Sequence, residues 1–231
     1  MTDAVKAGVA SWTGQVGTPT RLLLLRHGQT RLSVQRRYSG HGDPELTPLG
    51  LAQAAGAAAR IGKIPDVAAV LTSPLRRARQ TAEAVAAATG APLHVRERLV
   101  ETDFGAWEGL TFPEARDRDP QLHAEWLGSE SVAPPGGESF AAVGLRVAAE
   151  LADVLREYPA STVVLVSHVT PIKMLLRDAL QAGPGVLYRL HLDLAALSIV
   201  DVYPDGGASV RLVNDTSHHP DVPGRNSAEP V

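Results

Sequence analysis

Short apolar runs that stop abruptly at polar residues divide the chain into predicted buried strands. The first run is the four leucines at residues 22–25, and Arg-His-Gly follows it directly at residues 26–28. Continuous apolar runs of this length are typical of strands that are buried on both faces of a sheet. Runs at residues 67–71 and 162–166 repeat the pattern. We therefore expect three strands of a mainly parallel sheet.

Helical patterns follow the predicted strands. Thr47 and Pro48 are typical of a helix start, because a hydroxyl caps the first turn and proline suits the first helical position. Ser73 would cap a second helix, and Thr170 with Pro171 would begin a later one. Apolar residues at helical spacing predict a long amphipathic helix that ends before Pro159. The predicted helices cover residues 47–60, 73–89, 140–158 and 170–181.

The remaining strands are predicted from weaker patterns. Residues 93–95 suggest a short third strand, and residues 196–203 and 208–213 flank the turn sequence Pro-Asp-Gly-Gly. Two strands separated by such a turn indicate a hairpin. Because strands and helices alternate along most of the chain, the expected fold is a three-layer α/β/α sandwich. Its sheet should be mostly parallel with an antiparallel edge.

The expected organisation is a single domain with flexible ends. The chain has 231 residues, of which 44% are hydrophobic, and this suffices for one substantial core. We place the domain at residues 21–214, after a flexible arm or linker at residues 1–20 and before a disordered tail at residues 215–231. Residues 110–138 combine short helical pieces with a Pro-Pro-Gly-Gly run, so we expect them to leave the sheet and form a lid.

Composition excludes several classes of protein. The formal net charge of -3 argues against a basic nucleic-acid binder, and the cluster Arg76, Arg77 and Arg79 has no interleaved aromatic residues. Without cysteine there can be no disulfide, thiolate metal site or cysteine nucleophile, and a cytoplasmic location is favoured. The apolar runs are too short to cross a membrane and no signal peptide is recognisable. We expect a soluble protein.

Cations and imidazoles follow three of the predicted strands. Arg26 and His27 come after the first, the Arg76-Arg77 pair after the second, and His168 after the 162–166 strand. Because the carboxyl ends of parallel strands meet at one edge of a sheet, these groups should form an anion pocket. Guanidinium groups bind phosphate oxygens in pairs, so phosphate is the expected ligand.

The same set of residues suggests a reaction. One neutral imidazole could attack phosphorus while the other stabilises the charge that develops on the phosphoryl oxygens. A carboxylic acid must protonate the leaving alcohol, and Glu101 or Asp103 on the acidic loop could supply it, with Glu108 as a further candidate. Trp107 on this loop is interpreted as a packing residue at the pocket wall.

Two histidine groups could be read as metal ligands. His41 lies near Asp43, and His218 precedes His219 in the predicted tail. Neither group has a complete set of ligands at a recognised spacing, so we assign them to loop and tail. We expect no metal and no cofactor.

Four segments in register carry a resemblance to a known family. Arg-His-Gly at residues 26–28, residues 73–81, residues 101–109 and Val-Ser-His at residues 166–168 are similar to the four signatures of the histidine phosphatase, or phosphoglycerate mutase-like, superfamily. They occur in the family's order and spread over residues 21–214. A single Arg-His-Gly would be a weak indication of the family, whereas four matching segments in the family's order are a specific one.

The resemblance implies a role for each matching residue. His27 would be the nucleophile that becomes phosphohistidine, and Arg26, Arg77 and His168 would bind the phosphoryl group. Arg77 rather than Arg76 matches the family, because it directly precedes Ala78. Glu101 would protonate the leaving group and later activate water.

Substrate contacts are implied more weakly. Thr30, Ser33, Ser39 and Gly40 fall where the family lines its substrate pocket. The sequence departs from the family at Val169, because glycine is common after the second histidine there.

The implied activity is metal-independent hydrolysis of small-molecule phosphomonoesters. Within the superfamily the chain resembles α-ribazole phosphatases and broad acid phosphatases more than mutases, and it is similar to the phosphatase domain fused behind ribonuclease H in actinobacterial bifunctional proteins. The resemblance thus implies a ribonuclease H domain in the parent protein, and a homodimer is a further expectation. Mutase-type phosphate transfer and a noncatalytic phospho-ligand module are the alternatives.

Overall fold

A single six-stranded sheet forms the centre of the protein. The computed structural model describes residues 14–219. The strands are β1 (Thr20–Arg26), β2 (Val67–Thr72), β3 (Leu93–Val95), β4 (Thr162–Ser167), β5 (Leu197–Val202) and β6 (Ala208–Asp215). They lie in the order β3-β2-β4-β1-β5-β6. The four strands β3, β2, β4 and β1 are parallel, whereas β5 is antiparallel to both of its neighbours. The predicted mostly parallel sheet with an antiparallel edge is confirmed.

The leucine run of β1 explains why this strand is central. Leu22 and Leu24 belong to the core on one face of the sheet, and Leu23 and Leu25 belong to the core on the other. Successive side chains of a strand point to opposite faces, so a continuous apolar run can only be satisfied by burial on both.

Eight helices surround the sheet in the described part of the chain. They are α1 (Arg31–Val34), α2 (Pro48–Ile61), α3 (Arg76–Thr89), α4 (Phe112–Arg118), α5 (Pro120–Gly128), α6 (Phe140–Glu157), α7 (Val169–Ala179) and α8 (Val186–Arg189). Helices α2 and α3 pack their alanines against one face of the sheet. Helices α6 and α7 cover the opposite face with Val143, Val147 and Ile172. The predicted three-layer sandwich is therefore observed.

Two predicted helix starts are wrong, whereas the start of α2 is confirmed. Thr47 caps α2, because its Oγ1 accepts a hydrogen bond from the Gly50 amide at 3.0 Å. Ser73 does not cap α3, which begins at Arg76. Its hydroxyl instead lies 2.8 Å from His168 Nε2. A contact between residues 95 positions apart has overridden the local capping preference.

Helix α7 begins two residues earlier than the pattern predicts. His168 occupies the N-cap position, so Thr170 and Pro171 lie inside the first turn. Strand β4 ends at Ser167 and passes directly into the helix. This junction leaves His168 at the carboxyl end of the strand.

Residues 110–138 contribute no strand to the sheet and contain the two short helices α4 and α5. The loop at residues 31–48 also contains the unpredicted turn of helix α1, and α8 was not predicted. The expected arm at residues 1–20 and tail at residues 215–231 lie mostly outside the described residues. Within the described part, Asp215 belongs to β6. No helix in residues 14–219 is long and apolar enough to span a membrane.

Candidate active site

The parallel strands deliver two histidines to one edge of the sheet. Arg26 at the end of β1 pairs in register with Ser167 at the end of β4, and the His27 amide donates to the Ser167 carbonyl at 3.0 Å. His27 and His168 therefore follow neighbouring strand ends, and their ring centroids lie 5.1 Å apart. Both imidazoles are buried.

Local contacts fix the orientation of His27. Its Nδ1 lies 2.8 Å from the Gly28 carbonyl oxygen, so Nδ1 carries a proton and donates it. Arg77 Nε donates to Nε2 at 3.3 Å, where a lone pair must lie. A Cβ at Gly28 would lie 2.5 Å from the Gly50 carbonyl oxygen, so only glycine allows this close approach to α2. The imidazole is thus oriented with Nε2 as its basic atom.

Burial, followed by the charges of Arg77 and Arg26, lowers the pKa of His27 well below 6.5. Each of these effects disfavours the positively charged, protonated form of the imidazole. The folded protein therefore holds His27 neutral at neutral pH. A neutral imidazole with a lone pair on Nε2 is a nucleophile.

Arg77 is fully buried in the first turn of α3 and holds a loop in place. Its guanidinium donates to the carbonyl oxygens of Ser39 (2.9 Å), Gly40 (2.8 Å) and Gly42 (2.7 Å) as well as to His27. Burial lowers its pKa below the ordinary arginine value. Arg76 is exposed and pairs with Glu45 at 2.8 Å, which agrees with the prediction that it faces solvent.

Arg26 is buried at the end of β1. Its Nη1 donates to the Leu192 carbonyl oxygen at 2.5 Å. Its Nε is buried and has no hydrogen-bond partner among the described residues. Burial is the main reason that the pKa of Arg26 is lowered to about 10. The guanidinium thus carries a donor that is available to an anion.

His168 is fully buried between the strand ends. Its Nε2 lies 2.8 Å from Ser73 Oγ, and Leu75 donates its amide to the same hydroxyl at 3.3 Å. The hydroxyl proton is then free to point to Nε2, which favours the tautomer with a proton on Nδ1. That Nδ1 is buried and unpartnered within residues 14–219. Burial, then the charges of Arg77, His27 and Arg26, lowers the pKa of His168 well below 6.5.

The geometry separates the three candidate carboxylates. Glu101 is buried and lines the cavity described below, and its Oε1 accepts from the amides of Thr102 (2.8 Å) and Thr170 (3.3 Å). Asp103 instead accepts from a neighbouring backbone amide at 2.8 Å. Glu108 accepts from the amides of the 40–42 loop. Only Glu101 faces the cavity among these three.

Arg146 on α6 holds the segment that carries Glu101. It donates to the carbonyl oxygens of Arg98 (2.7 Å), Val100 (2.7 Å) and Glu101 (3.1 Å). The opposite side of the guanidinium pairs with both carboxylate oxygens of Glu138 at 2.9 Å. The guanidinium of Arg146 thus fixes the backbone on either side of Glu101.

A cavity of about 490 Å³ opens beside His27. It is lined by Thr30, Ser33 and Ser39, the residues predicted to contact substrate, and by Arg26 and Glu101. Gly40 does not line it. A Cβ there would lie 2.3 Å from the Thr102 carbonyl oxygen, so Gly40 serves a close approach of two loops. The expectation that Gly40 contacts substrate is therefore not supported by its position.

Most of the residues in the cavity wall are not predicted from the sequence. The chain has three Trp, four Tyr and three Phe residues, and six of these ten line the cavity. They are Tyr38, Phe104, Phe112, Trp126, Phe140 and Tyr188. Since all three phenylalanines lie at residues 104–140, their clustering was a usable signal. Lys173, Arg36 and Arg37 also line the wall.

Trp107 packs behind the wall rather than on it. It is fully buried, is not part of the cavity lining, and donates through Nε1 to Asp119 at 2.8 Å. The packing role is confirmed, but its predicted place at the pocket wall is wrong.

The histidines that resembled metal ligands have other partners. His41 contacts the Glu101 carbonyl oxygen at 3.2 Å through Nε2. His218 contacts the Ala195 carbonyl oxygen at 2.8 Å. No group of three or more His, Cys, Asp or Glu side chains suited to a metal ion occurs within residues 14–219.

Comparisons with known proteins agree with this geometry. The family model of the histidine phosphatase superfamily (branch 1) matches residues 22–216. Bifunctional protein Rv2228c of Mycobacterium tuberculosis is 59% identical over 207 residues, which are 90% of this chain and 57% of that relative. Adenosylcobalamin/alpha-ribazole phosphatase of Salmonella typhimurium is 29% identical over 84% of this chain and 96% of its own length.

A solved structure shows the same fold. Bacillus stearothermophilus YhfR superimposes with a TM-score of 0.81 and 30% identity, covering 87% of this chain and 100% of that one. The resemblance found in the four sequence segments is confirmed by these matches. The chain belongs to the histidine phosphatase superfamily, branch 1.

Proposed function

We propose that this chain hydrolyses small-molecule phosphomonoesters through a phosphohistidine on His27, without a metal ion. The carrying observation is the buried, neutral His27 imidazole, whose basic Nε2 lies 3.3 Å from the guanidinium of Arg77. A nucleophile and an anion-binding group are thus directed at one point. The family membership and the phosphatase relatives support the same activity.

In the first step the Nε2 lone pair of His27 attacks phosphorus and the bond from phosphorus to the ester oxygen breaks. Glu101 gives its proton to the departing alkoxide, so a neutral alcohol leaves. The proton on Nδ1 of His27 stays on the ring and keeps its hydrogen bond to the Gly28 carbonyl oxygen. Arg26, Arg77 and the Nδ1 proton of His168 stabilise the negative charge on the equatorial oxygens.

In the second step water attacks the phosphohistidine. Glu101, now a carboxylate, accepts a proton from this water, and the bond between Nε2 and phosphorus breaks. Inorganic phosphate leaves and His27 returns to its neutral form. The reaction needs no co-reactant other than water.

The cavity beside His27 would receive the alcohol portion of the substrate. Thr30, Ser33 and Ser39 carry hydroxyl groups and line this cavity. We propose an acid phosphatase or α-ribazole phosphatase type of activity, since an α-ribazole phosphatase is among the relatives.

The relationship to a bifunctional protein supports a further proposal about partners. This chain spans only 57% of that relative's length. We propose that the phosphatase domain acts beside a second domain, for which ribonuclease H is the expected identity. A homodimer and a cytoplasmic location are predictions from the sequence alone.

The decisive experiment traps the proposed intermediate. A phosphomonoester labelled with ³²P is mixed with enzyme and quenched in alkaline detergent, where phosphohistidine survives. We expect label on the wild-type chain, none on His27→Asn, and normal labelling of His41→Asn. Release of phosphate without labelled protein, or loss of turnover in a chelator, would overturn the mechanism.

Mutase-type transfer is tested in the same assay. A mutase would return the phosphoryl group to another hydroxyl of a sugar acid, whereas a phosphatase releases one inorganic phosphate per alcohol. We expect one inorganic phosphate to be released for each alcohol. A noncatalytic module would bind phosphate and release none.

A further inference from the structure

Lys173 is a cation in the cavity that the proposed reaction does not use. It lies on α7 three residues after Thr170, whose amide donates to Glu101. Residues three apart share a helix face and are separated by about 4.5 Å along the axis. Lys173 therefore lies about one helical turn beyond Thr170, and both residues line the cavity together with Glu101.

The ammonium group of Lys173 is only partly satisfied. Across the described part of the chain it makes one hydrogen bond, to the Leu187 carbonyl oxygen at 2.7 Å. An ammonium has three donor hydrogens, so two are left for other acceptors. Burial and the charge of Arg26 lower the pKa of Lys173 to about 8, although the charge of Glu101 acts in the opposite direction. The fold thus holds a desolvated cation inside the cavity at a cost in free energy.

The balance of charge in the cavity favours an anion. Four cationic side chains line it, against the single carboxylate of Glu101. The cations are Arg26, Arg36, Arg37 and Lys173. Arg37 already donates to Glu114 and to the Gly109 carbonyl oxygen, and Arg36 is exposed. With Arg26 assigned to the phosphoryl group, Lys173 is the half-buried cation left for the alcohol portion.

We propose that Lys173 binds a second anionic group, a carboxylate or another phosphate, on the alcohol portion of the substrate. This inference rests on the proposed function. The preferred substrates are then phosphomonoesters whose second anion lies a few atoms from the ester oxygen. The aromatic wall would pack against the carbon atoms between the two anions.

A matched pair of substrates tests the assignment. In 3-carboxyphenyl phosphate and 3-carbamoylphenyl phosphate a carboxylate is replaced by a neutral amide of nearly the same shape. We expect the wild type to show a kcat/KM about tenfold or more higher for the carboxylate, as for a hydrogen bond between charged groups. In Lys173→Met this ratio should fall to about one. Lys173→Arg should keep a ratio well above one.

The ratio separates recognition from a structural role. If Lys173 only ties α7 to the Leu187 carbonyl, Lys173→Met will lower both rates equally and keep the ratio, which would overturn the inference. A wild-type ratio near one would also overturn it. Lys63→Met, at an exposed lysine, is the matched control and should leave both rates unchanged. Failure of the wild type to hydrolyse either compound would overturn the proposed function and this inference together.

Discussion

Arg77 Nε donates a hydrogen bond to Nε2 of His27 across 3.3 Å, so the fully buried guanidinium faces the one basic atom of the imidazole. This contact joins two effects. The positive charge lowers the pKa of His27, and the guanidinium stands where a phosphoryl group on Nε2 would need cationic donors. Arg77 thus connects the protonation of the nucleophile to the binding of the anion.

Replacement of Arg77 should therefore change both the rate and the pH profile. We expect Arg77→Ala to lower kcat by about 10²- to 10³-fold, the usual cost of a lost transition-state donor. Loss of the charge should also raise the pKa of His27, so the acid limb of kcat/KM should move to higher pH. Arg76→Ala, at the exposed neighbour, should change neither kcat nor the position of the acid limb. An unchanged acid limb in Arg77→Ala would contradict the electrostatic part.

Glu101→Gln should discriminate between leaving groups. An alkyl alcohol is a poor leaving group and needs its proton, whereas 4-nitrophenolate does not. We expect kcat on an alkyl phosphate to fall by about 10²-fold or more and kcat on 4-nitrophenyl phosphate to change far less. Asp103→Asn is the control, since Asp103 does not face the cavity. Equal losses on both substrates would assign the proton to another group.

Much of this site follows from local sequence. The four leucines of β1 force burial on both faces of the sheet, and parallel neighbours then bring His27 and His168 to one edge. The Arg76-Arg77 pair follows from its place after β2, and the family resemblance selects Arg77. These predictions depend on strand ends, which apolar runs mark clearly.

Other features depend on contacts between distant segments and have no local signal. Ser73 looks like a helix cap, but its hydroxyl contacts His168 from the next strand. Gly40 looks like part of a substrate loop, but it serves a close approach to Thr102. Three carboxylates lie close together in the sequence of the acidic loop, and only the path of that loop shows that Glu101 is the one that faces the cavity. Lys173 reaches the cavity only because α7 runs along it.

Stability should fall as the pH is lowered below about 6.5. The pKa values of His27 and His168 are lowered in the folded protein, whereas the unfolded chain protonates them near 6.5. The unfolded chain then binds more protons, so protonation favours unfolding. Each imidazole contributes at most about 1.4 kcal/mol per pH unit below 6.5 and nothing above it. Burial lowers the pKa values of His123 and His218 also, which acts in the same direction.

Urea denaturation at pH 7.5, 6.5 and 5.5 measures this effect. We expect little change in the free energy of unfolding between the first two values and a clear loss at the third. His168→Asn should reduce that loss, because it removes one proton-binding group from the unfolded chain. His94→Asn, at an exposed histidine, should leave the slope unchanged. A slope that is the same in His168→Asn would mean that this imidazole is not held neutral.

Arg146 should act on the reaction through Glu101. Its guanidinium binds the carbonyl oxygens of Arg98, Val100 and Glu101 and pairs with Glu138, yet it is not part of the cavity lining. We therefore expect Arg146→Gln to behave as a weaker form of Glu101→Gln. The rate on an alkyl phosphate should fall by about tenfold more than the rate on 4-nitrophenyl phosphate.

The selective loss is what distinguishes positioning from general support. A purely structural role would lower the melting temperature and reduce both rates in proportion, because every substrate would meet fewer folded molecules. Arg146→Lys, which keeps the charge but not the planar fork, should restore only part of the selective loss. Arg156 lies on the same helix, and its side chain is 71% exposed. Arg156→Gln should therefore leave the ratio of the two rates at the wild-type value. If Arg146→Gln also keeps that ratio, Glu101 is held by its bonds to the amides of Thr102 and Thr170 alone.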